Sequence, residues 1–142
     1  MGLFEWTPIY EVGVPEIDAQ HKQLMGYVNQ MFDAMVANSG ADAVGEVLEQ
    51  LLAYTKMHFE FEERLMRHGK AVGFEAHQAT HQMLLARVLE LKERNAAGEE
   101  RVDEKAIDLL RDWLVDHILH SDARQADAVR AGMKAIAEGN KD

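Results

Sequence analysis

The sequence predicts an all-α protein, an antiparallel up-down-up-down four-helix bundle with an extended N-terminal arm and a short C-terminal helix or helix extension. Both prolines, Pro8 and Pro15, precede the long periodic region, which therefore holds no residue that forbids helix. Four successive segments then repeat apolar residues at steps of three and four, the period of a helix with one buried face. Short Gly-, Asn- and Ala-containing runs separate these segments, as antiparallel neighbours require. At 142 residues the chain reads as one domain large enough to bury a hydrophobic core. It divides into an arm over 1–14, a bundle over about 15–123 and a helical tail over 124–142.

The arm carries Trp6, Ile9, Tyr10 and Val12, which suit extended packing across the bundle. Pro15 fits the first turn of a helix that runs through His21, Leu24, Met25, Val28, Phe32 and Met35 and stops around Asn38-Ser39-Gly40. The second helix starts at about Asp42, a suitable N-cap, and presents Val44, Val47, Leu48, Leu51, Thr55, His58, Phe59, Glu62 and Leu65. Gly69 and Gly73 bracket the next turn. The third helix has the cleanest stripe, Phe74, His77, His81, Leu84, Val88 and Leu91, and ends at Asn95-Ala96-Ala97-Gly98. A fourth starts near Val102-Asp103 and carries Ile107, Leu110, Trp113, Leu114 and His117 inward. Beyond it, Ala126, Val129, Met133 and Ile136 share one side, so the tail prolongs the fourth helix or forms a fifth.

Composition removes several classes of function. With 15 Lys and Arg against 25 Asp and Glu, the formal charge is −10 and no basic cluster marks a nucleic-acid or anionic-membrane partner. No apolar run is long enough to cross a bilayer, and the N-terminus lacks a signal-peptide pattern, so a cytoplasmic protein is expected. Without cysteine there is no disulfide, thiolate site or iron–sulfur cluster. Any metal must be held by nitrogen and oxygen.

Such ligands stand on every predicted bundle helix: His21, His58 and Glu62, His77 and His81, His117 and Asp122. A buried imidazole or carboxylate without a partner costs about 1–3 kcal/mol or more, and a metal cluster satisfies the whole set together. Pairs four residues apart share a helix face, so His58 with Glu62, and His77 with His81, suit chelation. Asp122 follows His117 by five residues and would stand about 140° away from it on a regular α-helix. A bulge or irregular turn between them is therefore predicted. Two octahedral irons offer about twelve positions, and five imidazoles, two bridging carboxylates and one bridging oxygen fill all but one. One open position among hydrocarbon suits reversible binding of a small diatomic molecule.

Zinc suits His-x-x-x-His, but seven ligands exceed one tetrahedral ion and there is no His-Glu-x-x-His. Di-iron carboxylate enzymes use Glu-x-x-His pairs, which this chain lacks. His68, beside a helix C-terminus, reads as a surface residue, and His120 as exposed or backing the ligands.

The ligand series, with the stretches Val14-Pro15-Glu16-Ile17-Asp18-Ala19-Gln20-His21, His58-Phe59-Glu60-Phe61-Glu62-Glu63 and Trp113-Leu114-Val115-Asp116-His117-Ile118, resembles hemerythrin in its bacterial single-domain form, over about residues 6 to 122. The resemblance implies a non-heme di-iron protein, oxo- or hydroxo-bridged, that binds dioxygen reversibly when reduced. By the same resemblance His77, His81 and His117 would hold one iron, His21 and His58 the other, and Glu62 and Asp122 would bridge them. The two-histidine iron would take dioxygen, with Leu114, Trp113, Phe59 and Phe32 lining its pocket. Many relatives carry an aromatic residue three positions after the last aspartate, where this chain has Gln125. A carrier, store or scavenger acting as a monomer is the leading expectation. Sensing through a redox or signalling partner protein, or an enzyme acting on peroxide or nitric oxide, are the alternatives.

Overall fold

The computed structural model describes residues 5–98 and 102–139, all helix, turn or loop. The helices are α1 (Pro15–Val36), α2 (Ala41–His68), α3 (Phe74–Ala96), α4 (Glu104–Asp116) and α5 (Ala123–Ala137), with a π-helical segment at His117–Asp122 between the last two. Since helical backbone continues without a break from Glu104 to Ala137, the tail prolongs the fourth helix.

Local chemistry explains the boundaries. Pro15 occupies the first turn of α1, and Glu16 and Asp18 face its positive end. The helix stops at Val36, slightly before the expected Asn38-Ser39-Gly40, because Asn38 turns left-handed at φ 54 and Ser39 N–H reaches back to the Ala34 carbonyl. Asp42 is not the N-cap of α2. Gly40, at φ 88, takes that place, and Asp42 lies in the first turn, where its charge complements the helix dipole. At α4 the Asp103 carboxylate caps the helix, accepting from Ala106 N–H at 2.9 Å.

The arm differs from a plain extended strand: Pro8–Tyr10 makes one 3₁₀ turn, bringing the Trp6 and Tyr10 ring centroids to 5.6 Å. It is held at both sides. Val12 N–H donates to Asp18 at 2.8 Å, and the Arg130 guanidinium on α5 donates to the Val12 and Gly13 carbonyls at 3.3 and 3.4 Å.

α2 packs against α1, α3 and α5, while α4 lies along α1. The α2–α5 crossing is close: a Cβ on Gly132 would stand 1.9 Å from the Leu65 carbonyl oxygen, and one on Gly69 would stand 1.8 Å from that of Ala128. The core is stacked in layers. Moving three residues from His21, His58, His81 and His117, forward on α1 and α3 but backward on α2 and α4, gives Leu24, Thr55, Leu84 and Leu114. Four residues further in the same senses gives Val28, Leu51, Val88 and Leu110, and these eight residues with Phe59 enclose one cavity. Alternating senses are what an up-down-up-down bundle produces.

Candidate metal centre

Each expected ligand reaches the bundle interior, and none of the seven is more than 5% exposed. They converge as two overlapping groups: Glu62, His77, His81, His117 and Asp122 in one, and His21, His58, Glu62 and Asp122 in the other. Within each group the donor atoms lie within 4.8 Å of one another. The two carboxylates belong to both groups, and their individual oxygens divide between them. Glu62 Oε1 is 2.6 Å from His77 Nε2 and 3.3 Å from His81 Nε2, whereas Oε2 faces His58 Nε2 at 3.6 Å. Asp122 Oδ1 is 3.1 Å from His77 Nε2 and 2.9 Å from His117 Nε2, whereas Oδ2 faces His21 Nε2 at 2.8 Å.

The π-helical segment brings Asp122 into this arrangement. Its i→i+5 bonding stacks residues five apart much as an α-helix stacks those four apart, so the carboxylate lies over His117 instead of on the flank of the rod. The predicted irregular turn is found at this position.

Hydrogen bonds outside the cluster fix which nitrogens face inward. His58 Nδ1 contacts Gln20 Oε1 at 2.6 Å and His81 Nδ1 contacts Glu63 Oε2 at 2.8 Å. An amide oxygen and a carboxylate can only accept, so each imidazole donates through Nδ1 and directs the Nε2 lone pair at the centre. Sequence reasoning misses Gln20 and Glu63. Their signal is present: each adjoins a candidate ligand, and no apolar stripe claims either. Rings hold the imidazole planes as well. Phe59 stacks on His81 at 3.7 Å between centroids and 3° between planes, and Trp113 stacks on His117 at 4.5 Å and 14°.

The polar groups satisfy one another only in part: His77 Nε2 meets Glu62 Oε1 at 2.6 Å and His81 Nε2 meets His117 Nε2 at 3.0 Å. Among the described residues both ring nitrogens of His21, His58 Nε2, Glu62 Oε2 and both Asp122 oxygens are buried without a hydrogen bond. Five of these six atoms point at the common centre; His21 Nδ1 is the sixth. Burial pushes the His58 imidazole down to about 4. Burial also opposes the charge on His77, but the adjacent Asp122 and Glu62 carboxylates outweigh it and raise the group to about 9. At Asp122 burial works upward, yet the His117 charge and the imidazoles of His117, His21 and His77 hold the carboxyl well below the usual range. Nitrogen and oxygen donors aimed at two points, with orphaned atoms at their centre, fit metal ions.

The expected pocket residues separate. Phe59 and Leu114 line the cavity of about 20 Å³ beside the cluster. Trp113 instead covers His117 and borders an open groove between α3 and α4, and Phe32 packs in the core away from the cavity lining. A residue next to Leu114 on a helix must face about 100° away. Phe32 is a further turn beyond Val28, past the cavity's lining layers. His120 is 66% exposed and 3.7 Å from Asp116, and His68 is half-buried at the end of α2. Gln125 donates to the Val72 carbonyl at 2.9 Å, pinning the loop that leads into α3. No described helix is long and apolar enough to cross a membrane.

An all-helical bundle whose core is a buried histidine–carboxylate metal site defines a class of metalloproteins. Residues 12–128 match the hemerythrin HHE cation-binding domain model. This chain belongs to the hemerythrin family. It is 37% identical over 138 residues to a bacteriohemerythrin of Pseudomonas aeruginosa, covering 97% of this chain and 89% of that protein. A bacteriohemerythrin of Methylococcus capsulatus is 34% identical over 83% of this chain and 90% of its own length. The solved structure of wild-type hemerythrin superimposes with a TM-score of 0.83 at 32% identity, over 89% of this chain and 98% of the other.

Proposed function

We propose that the protein binds dioxygen reversibly at a non-heme di-iron centre, as a carrier, store or scavenger. The single observation that carries this reading is the division of the carboxylate oxygens: Glu62 and Asp122 each turn one oxygen to a three-histidine group and the other to a two-histidine group. This division supports two metal positions that Glu62 and Asp122 would bridge. His77, His81 and His117 would hold one iron, and His21 and His58 the other. When bound, the iron pair would supply the electrons for dioxygen binding. The chain's own part is to orient the ligands through Gln20 and Glu63 and to line the adjoining cavity with side chains that are hydrocarbon except for Thr55. Family membership and the likeness to hemerythrin structures support the same reading.

The test is anaerobic reduction followed by dioxygen titration, with iron counted per chain. Two irons and a visible band that appears with dioxygen and disappears on its removal are expected. One zinc and no colour would refute the proposal. Steady consumption of peroxide or nitric oxide with a reductant, without reversible oxygenation, would make the protein an enzyme instead.

A further inference from the structure

We propose that Thr55 selects the ligand of this centre, donating its hydroxyl hydrogen bond to small ligands that can accept one; this rests on the di-iron reading above. The layer next to the histidines is Leu24, Thr55, Leu84 and Leu114, and the following layer is wholly aliphatic. Among the described residues Thr55 is thus the sole hydroxyl or amide side chain lining the cavity, and it is 1% exposed. Packing gives no reason for it. Valine has the same branched shape, and burying a hydroxyl costs more than burying a methyl group unless the hydroxyl is used.

A threonine on a helix has a way to carry that hydroxyl. It can turn its proton back to the carbonyl four residues earlier, here Leu51, or swing it toward the cavity with no change of backbone. The donor is therefore available on demand. Its position also distinguishes the two metal positions. Leu24 and Thr55 stand one turn from His21 and His58, whereas Leu84 and Leu114 stand one turn from His81 and His117. The hydroxyl is on the side with fewer protein ligands, where an outside molecule can bind. The cavity that Thr55 lines, about 20 Å³, has room for a group of water size. An anion, or a ligand that becomes negatively charged on binding, gains a charge-assisted hydrogen bond, and an apolar gas gains nothing.

The comparison is between wild type, Thr55→Val and Thr55→Ser, each loaded with iron, oxidised and titrated with azide by its visible absorption. Thr55→Val should bind azide about tenfold more weakly, and Thr55→Ser should stay within about threefold of wild type. Metal-free crystals under xenon give a readout independent of iron, and xenon occupancy of the cavity should be equal or higher in Thr55→Val. Thr55→Ala removes the same hydroxyl and replaces the valine variant in the comparison if that variant folds poorly. Equal azide affinity in wild type and Thr55→Val at full iron content would overturn the role of Thr55 and leave the di-iron reading intact. Equal weakening in the valine and serine variants would also overturn it, since shape and not the hydroxyl would then be responsible. A wild-type protein with no iron pair, or with two irons and no azide band, would instead overturn the di-iron reading itself.

Discussion

Glu63 shows how one side chain outside the candidate ligand set can hold a member of it in place. Its carboxylate holds His81 by Nδ1, so the ring cannot flip its tautomer or rotate while that 2.8 Å contact lasts. Glu63→Gln should therefore lower metal retention by about 10–100-fold in competition with a chelator, with little change in the melting temperature of the metal-free protein. Equal retention would mean that Phe59, stacked on the imidazole plane at 3.7 Å, suffices to orient His81. Leu114 acts by bulk. Leu114→Ala should cost about 3 kcal/mol of stability and, by opening the cavity to water, speed oxidation of the oxygenated protein; an unchanged autoxidation rate would remove Leu114 from the role. At this scale the ligand positions are legible because polar residues interrupt apolar stripes at helical spacing. Gln20 and Glu63 are marked only by adjoining a candidate ligand off the apolar stripe, and their partners, 38 and 18 residues away in sequence, leave no periodic trace.

Among the elements, the rod from Glu104 to Ala137 connects sequence and site most directly. The step of five between His117 and Asp122 announces an irregular turn, because no α-helix can align such a pair, and a π-helical segment resolves it. The direction of the tail is not legible: its stripe of Ala126, Val129, Met133 and Ile136 fits a separate helix equally well. What decides it is the lack of a breaker after Asp122 together with the close α2–α5 crossing. Gly132→Ala should cost about 3 kcal/mol in urea or thermal unfolding, because the backbone of α2 blocks the added methyl, which would sit 1.9 Å from the Leu65 carbonyl oxygen. Gly26 is the contrast. It is helical in α1 with nothing within 4 Å of an added Cβ, so Gly26→Ala should stabilise by about 0.5–1 kcal/mol. Opposite signs test the crossing; a neutral Gly132→Ala would show that α5 can move off α2 at little cost.

For the molecule as a whole, the bundle is held together by aliphatic layers and divided by one polar layer that its own hydrogen bonds satisfy only in part. Metal removal should therefore lower the melting temperature, since ions that bind only the folded chain stabilise it by mass action. The pH dependence of the metal-free protein follows from imidazoles pulled in opposite directions, His58 downward and His77 and His21 upward. His58 is depressed to about 4 by burial, so the folded chain resists its protonation; that contribution is complete above the unfolded value of 6.5 and is lost as pH falls toward 4. His77 is raised to about 9 by Asp122 and Glu62 against the opposing effect of burial, so its contribution is complete below 6.5 and is lost as pH rises through 9. Asp122, held well below 3.8, adds a loss only in stronger acid. His21 is raised like His77, burial lowering it but Asp122 and Glu62 outweighing that effect. Melting temperatures of the metal-free chain should thus pass through a maximum near neutral pH, and His77→Gln should reduce the decline on the alkaline side, leaving the part that His21 supplies. Metal must displace the His77 proton to bind, so loading near pH 7 should release protons into a weakly buffered indicator solution, and apparent affinity should rise with pH across that range. Loading without proton release would place His77 outside the metal's coordination, leaving two histidines and the shared carboxylates on that side.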